Sequence, residues 1–232
     1  DMTPVVVTAN DGYCFPAGYT VAEKDGVKVT RDSASQVTVF GMPCYNVNIT
    51  LPDAAAKTQT ATPSAVFTAT GSDTGTLTHV DSDMQYSLDS SNWTNINSSS
   101  ANLTGLTSST EIQIIKRGGD TALDSEIQRI ALTQAVTPTA AFAATGTSTG
   151  TLTGVTPGMQ YQIGSDAWTD ITGERADLTR LSGGIVIRVR TTGGGTTLFS
   201  QSQEIPVNQA DTPEAVFTAA GTSTGMLSNV TA

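Results

Sequence analysis

The sequence predicts an all-β chain of tandem small Greek-key β-sandwich modules behind a short N-terminal β module. Three observations predict it. Residues 63–137 recur, register intact, as residues 138–212: Pro63, Phe67, Gly71, Gly75, Leu77 and Val80 return 75 positions on as Pro138, Phe142, Gly146, Gly150, Leu152 and Val155. Short runs alternate apolar and polar residues, Ile112 with Ile114 and Ile185 with Ile187 and Val189, which is the period of a half-buried strand. Turn signals fall about every ten residues and no window carries a helical stripe. The apolar anchors and glycines persist between copies while most polar positions drift. What is repeated is therefore a fold, and a repeated active site would have to live where the copies differ.

In chain order, residues 1–60 form the N-terminal β module. Strands are expected at Val5–Ala9, Val27–Arg31, Gln36–Phe40 and Val47–Leu51, around the loop Asn10–Pro16. A core of this length is marginal alone, and Asp53–Thr62 reads as a loose link to the repeats. In the first repeat strands are expected at Ala65–Thr70, Thr76–Val80, Gln85–Leu88, Trp93–Ile96, Ala101–Leu106, Glu111–Lys116 and Glu126–Thr133. Gly, Asp, Asn and Ser clusters supply the breaks.

Inside each repeat runs a finer echo. Leu77 leads to Tyr86 and Leu103 to Ile112 over the same nine-residue interval, as do Leu152 to Tyr161 and Leu178 to Ile187. Each module is thus expected to hold two similar halves. The stretch Leu152–Tyr161 also resembles the tyrosine corner of fibronectin type III domains. A partial third copy occupies 213–232, with Phe217, Gly221, Gly225 and Leu227. Two strands do not make a domain, so this tail either pairs with a neighbouring chain, docks on the second repeat, or belongs to a shifted frame of 1–81, 82–156 and 157–232. The short joints Gln134–Pro138 and Gln209–Pro213 favour the frame that runs from proline to proline.

Composition excludes several function classes. Charged residues are 14% of the chain, with 11 basic against 21 acidic and a net charge of −10. Without a basic cluster there is no footprint for nucleic acid or for anionic lipid. No apolar stretch approaches the ~20 residues of a membrane-spanning helix, so no membrane insertion is expected of this segment. Asp1 is not a natural start, and the chain reads as an excised or mature fragment.

Few residues offer chemistry. His79 is the lone histidine, and its repeat equivalents are Gly154 and Asn229. It therefore reads as a turn residue and not as a catalytic base. Asp81, Asp83 and Asp89 have no acidic counterparts at Thr156, Gly158 and Gly164, so they read as solvated turn acids. No catalytic residue, metal site or cofactor is expected. Cys14 and Cys44 are the only cysteines; they are either one disulfide or two thiols. The best binding candidates are Tyr86, Trp93, Tyr161 and Trp168, whose aromatic faces suit sugar rings or protein anchors. Their regular recurrence fits a core equally well.

The string Pro-x-Ala-x-Phe-x-Ala-Thr-Gly-x-x-Thr-Gly-Thr-Leu-Thr, then Met-Gln-Tyr, Trp-Thr-x-Ile and a late Gly-Gly, resembles tandem Ig-like or fibronectin-III-like β repeats of Firmicutes cell-wall and S-layer-associated proteins. Gly12–Pro16, Gly26–Arg31 and Gln36–Val39 resemble the short β module that often precedes them. The resemblance implies a non-catalytic extracellular array at a cell surface or cell wall, acting as spacer, stalk or adhesive display. Its implied partners are a surface glycan or a host or cell-wall protein. The alternative is a carbohydrate- or receptor-binding module of a secreted multidomain enzyme or phage fibre.

Overall fold

The computed structural model describes residues 1–210 and 214–229. Among the described residues every regular element is a strand, and no helix is long and apolar enough to cross a membrane. The chain divides into two compact units. The first is Asp1–Gln134 with Gly193–Leu198, and the second is Ala135–Thr192 with the described residues from Phe199 onward.

The N-terminal segment holds β1 (Val5–Thr8), β2 (Tyr13–Cys14), β3 (Val27–Arg31), β4 (Gln36–Gly41), β5 (Ala55–Ala56) and β6 (Thr58–Gln59). An antiparallel sheet of order β1-β4-β3 buries Val37 completely. The expected strand at 47–51 is not one. Val47, Ile49 and Leu51 do alternate with exposed Asn48 and Thr50, but they border a cavity shared with Val5, Val27 and Val39. Alternation reports a buried face, whereas a strand also needs a free edge to pair with. The expected link at 53–62 contains β5, which pairs with β2, and β6.

The first repeat supplies β7 (Val66–Ala69), β8 (Gly75–Thr78), β9 (Met84–Ser87), β10 (Thr94–Asn95), β11 (Ser100–Leu103), β12 (Glu111–Lys116), β13 (Ala122–Leu123), β14 (Gln128–Ala131) and β15 (Thr133–Gln134). One sheet runs β7-β8-β11 and the facing one β10-β9-β12-β14. The chain crosses between sheets from β8 to β9, from β10 to β11 and from β11 to β12; the first and last crossings are the physical form of the internal echo. Leu77, Leu103, Ile112 and Ile114 fill the interior, each contributing about 1.5–3 kcal/mol by leaving water. Phe67 lies across Gly75, where any Cβ would strike its ring. Gln128 closes the sandwich edge: its Oε1 accepts the Ala65 amide and its Nε2 donates to the Ala65 carbonyl, both at 2.8 Å.

Segment 193–198 completes this core. It contains β22 (Thr197–Leu198), which pairs in parallel with β15. The Ala69 amide donates to the Gly195 carbonyl at 2.9 Å, and the Thr133 amide to Thr196 at 3.1 Å. Leu198 is fully buried among the module's apolar residues. The equivalent segment of the first repeat does the same one module earlier, since β13 pairs in parallel with β6. There Leu123 remains 40% exposed.

In the second unit β16 (Ala141–Ala144), β17 (Gly150–Thr153), β18 (Met159–Ile163), β19 (Thr169–Asp170), β20 (Arg175–Leu178), β21 (Val186–Thr191) and β23 (Gln203–Pro206) repeat the plan, with sheets β16-β17-β20 and β19-β18-β21-β23. Gln203 makes the same clasp, at 2.7 and 2.9 Å to Ala140. Tyr161 falls on β18, and not at the start of β21 where a tyrosine corner belongs; Ile187 holds that position. From the third copy, β24 (Val216–Ala219) and β25 (Gly225–Ser228) form an exposed hairpin, with Phe217 again lying across a glycine, Gly225. Residues 213 and 230–232 of that expected copy lie outside the described residues.

Candidate functional site

Tyr86 on β9 and Tyr161 on β18 are half-buried and pack against their modules' cores. The register pairs them with Thr94 and Thr169. Trp93 and Trp168 each precede that pair by one residue, and strand alternation sends them to the opposite, outer face of the four-stranded sheet. Each Tyr–Trp pair is therefore close in sequence but split across the sheet. Both tryptophans are half-buried.

On the second module this outer face carries a built cluster. The Arg190 guanidinium lies 3.9 Å from the centre of the Trp168 ring and 4.9 Å from that of Phe199. Its Nε and Nη2 donate to Gln160 Oε1 at 2.9 and 2.7 Å, and Gln160 Nε2 donates to Asp170 Oδ1 at 2.8 Å. Burial lowers the Arg190 pKa from its usual value, yet the group keeps its charge, as guanidinium does in proteins. Beside it Arg188 Nε donates to Glu204 Oε1 at 2.9 Å. The cation occupies one face of Trp168, an arrangement worth about 0.5–2 kcal/mol. On the first module Ile115 and Asp124 stand in place of Arg190 and Phe199, and Gln85 bonds only across to Asn95, at 2.8 Å. Recurrence in the sequence singled out the tryptophan, but Arg190 and Phe199 do not recur and carry no such signal.

His79 has φ +57°, and Gly154 and Asn229 at the same position have +69° and +59°. The position demands left-handed backbone, which Gly, Asn and His tolerate best. Asp89 folds its own turn: its carboxylate accepts from the amides of Ser91 and Asn92 at 2.9 and 2.8 Å, and from Asn92 Nδ2 at 2.6 Å. These bonds, the Asn92 amide foremost, hold its pKa far below the usual range. Asp81 takes Lys116 Nζ at 2.6 Å. Among the described residues no group of three metal-ligating side chains converges. In the structure both cysteines are free thiols, Cys14 buried on β2 and Cys44 exposed in the loop beyond β4.

Three strands facing four, with the chain crossing between them three times, is an Ig-like sandwich in tandem. No family model matches the sequence, and no curated protein does. Similar solved structures include a segment of two fibronectin type-III domains from chicken tenascin, at 18% identity over 63% of this chain and 98% of that one, with a TM-score of 0.27. The FN1–FN3 domains of chicken CNTN1 are similar at 15% identity over 71% and 73%, with a TM-score of 0.23.

Proposed function

We propose that this chain is a non-catalytic run of sandwich modules serving as spacer, stalk or adhesive display array of a bacterial cell-surface protein. One observation carries the reading: buried or edge polar side chains that persist in both modules are consumed by their own backbone. Gln128 and Gln203 clasp the sandwich edge. Ser125 and Ser200 sit buried, accepting the amides of Lys116 and Thr191 at 2.9 and 2.8 Å. The outer face, where a repeated site would have to show, differs between modules at Arg190 and Ile115. Selection for a repeated scaffold produces that division; selection for a repeated reaction would hold the outer face fixed. Partners that suit such an array are a surface glycan or a host or cell-wall protein. The exposed β24–β25 hairpin offers an edge for strand pairing.

A second reading has one observation in its favour: Trp168, Arg190 and Phe199 cluster on an outer face, where Trp168 would stack a sugar ring in a carbohydrate- or receptor-binding module. Trp93, Tyr86 and Tyr161 would then be accessory contacts. Glycan-array binding of the intact chain beside Trp93→Ala and Trp168→Ala, with folding followed by circular dichroism, separates the two. The spacer reading expects no saturable binding. Binding that disappears in a folded Trp168→Ala variant would replace it with the lectin-like reading.

A further inference from the structure

The second module carries an empty copy of the slot that Leu198 fills on the first. A largely apolar cavity of about 390 Å³ is lined by Phe142, Ala144, Thr147, Val207, Asn208 and Gln209, among others. Shifted by one repeat these are Phe67, Ala69, Ser72, Leu132, Thr133 and Gln134, the surroundings of segment 193–198. On the first module Phe67, Ala69 and Leu132 are 2%, 6% and 3% exposed. On the second Phe142 is half-buried and Ala144 exposed.

The polar fittings match as well. Ala69 and Ala144 hold the same register against Gly75 and Gly150, so the Ala144 amide is aimed as the Ala69 amide is, which meets the Gly195 carbonyl. Thr133 and Gln134 supply the parallel ladder, with Gln134 Nε2 donating to the Ser72 carbonyl at 3.1 Å. Asn208 and Gln209 stand ready in the same places. The incoming segment has its own recipe. Gly194 and Thr197 exchange amide bonds at 2.9 and 3.0 Å, Gly195 takes φ +52°, and the turn presents Leu198.

We infer that this cavity is the acceptor for the Gly-Gly-x-x-x-Leu segment of a following module of the same repeat type, so that each sandwich core is completed by the next module along the chain. The occupant follows from the chain itself: this slot is filled once, by this segment, and the third copy starts at Pro213, four residues beyond the slot's Gln209. Glycan binding by the modules would leave the inference untouched.

The test replaces residues 213–232 with a full copy of residues 138–212 and compares amide exchange at Ala144 with that in the chain as it stands. Protection of the Ala144 amide should rise on the order of tenfold or more, since exchange there then requires the buried leucine to leave. It should fall back when the added leucine equivalent to Leu198 is changed to Asp. Unchanged exchange at Ala144 beside a folded added module, shown by protection of that module's own core strands, overturns the inference. Should the added module not fold, the chain as it stands is titrated with a cyclic peptide of sequence Gly193–Leu198. Shifts at Ala144, Asn208 and Gln209 that the Leu→Asp peptide does not produce support it, and shifts shared by both peptides, or none, overturn it. Ala144 protection that grows with concentration of the unextended chain would assign the slot to a second copy and also overturn it.

Discussion

The two sandwich modules share their strands, their clasp glutamines and their phenylalanine laid across a glycine, yet one end of the core differs. On the first module Phe67 and Ala69 are sealed beneath Leu198; on the second Phe142 and Ala144 stand open to a cavity. Local sequence does not explain this, because the lining residues are alike. The difference lies in what covers them. A repeat of this kind is not a self-sufficient domain but a core with one residue on loan from outside, and its stability is a property of the array.

The comparison can be sharpened in descending order of effect. Phe67→Ala should cost the first module about 3–5 kcal/mol, because a buried ring leaves a cavity that the covering segment cannot fill. Phe142→Ala should cost the second clearly less, since its ring already faces open space; urea unfolding read by module-resolved amide exchange measures both. Arg190→Ala should destabilise only the second module, by about 1 kcal/mol, through loss of the cation over Trp168, and should shift that tryptophan's emission. His79→Gly should stabilise the first module by roughly 1 kcal/mol, because it relieves a side chain held at positive φ. An unchanged melting curve for that variant would mean the turn relaxes.

Acid should separate the modules most gently. Asp89, Asp81 and Glu111 of the first module have lowered pKa values, from hydrogen bonds to Asn92, Lys116 and Arg129 respectively. Among the described residues of the second, Asp177 is lowered, first by Thr151. A group whose folded pKa is depressed contributes stability above its unfolded pKa, near 3.8 for Asp and 4.5 for Glu, and loses it as pH falls through the folded value. The first module should therefore lose more stability below about pH 4, and Asp89→Ala should flatten that dependence. Equal acid slopes in the two modules, followed by exchange, would remove the carboxylates from the account.

Much of this was legible in the chain. Period-two alternation located β12 and β21, whose Ile112 and Ile114, and Ile187 and Val189, are buried in the cores. It failed at 47–51, where the face is half-buried but the segment pairs with no strand. The two-residue pairs of β13 with β6 and β22 with β15 left no periodicity to find, being too short to alternate. Their signal was repetition: Leu123 and Leu198 recur after the late Gly-Gly, and Thr58-Gln59 recurs as Thr133-Gln134. Both tyrosines and both tryptophans were legible as candidates from recurrence, yet the aromatic-cation cluster was not, since Arg190 and Phe199 break the repeat. Spacing alone does not report whether Cys14 and Cys44 are bonded, because that depends on how the fold places the two sulfurs.

The most direct test of a core completed from outside compares Leu198→Ala with Leu123→Ala, the same repeat position under two different neighbours. Stability is read by denaturant unfolding and by exchange at the core amides of β8, β9 and β12. Leu198→Ala should destabilise the first sandwich by about 2–5 kcal/mol, and Leu123→Ala by less than about 1 kcal/mol. Equal effects, or a Leu198→Ala variant that leaves exchange in β8, β9 and β12 unchanged, would contradict it.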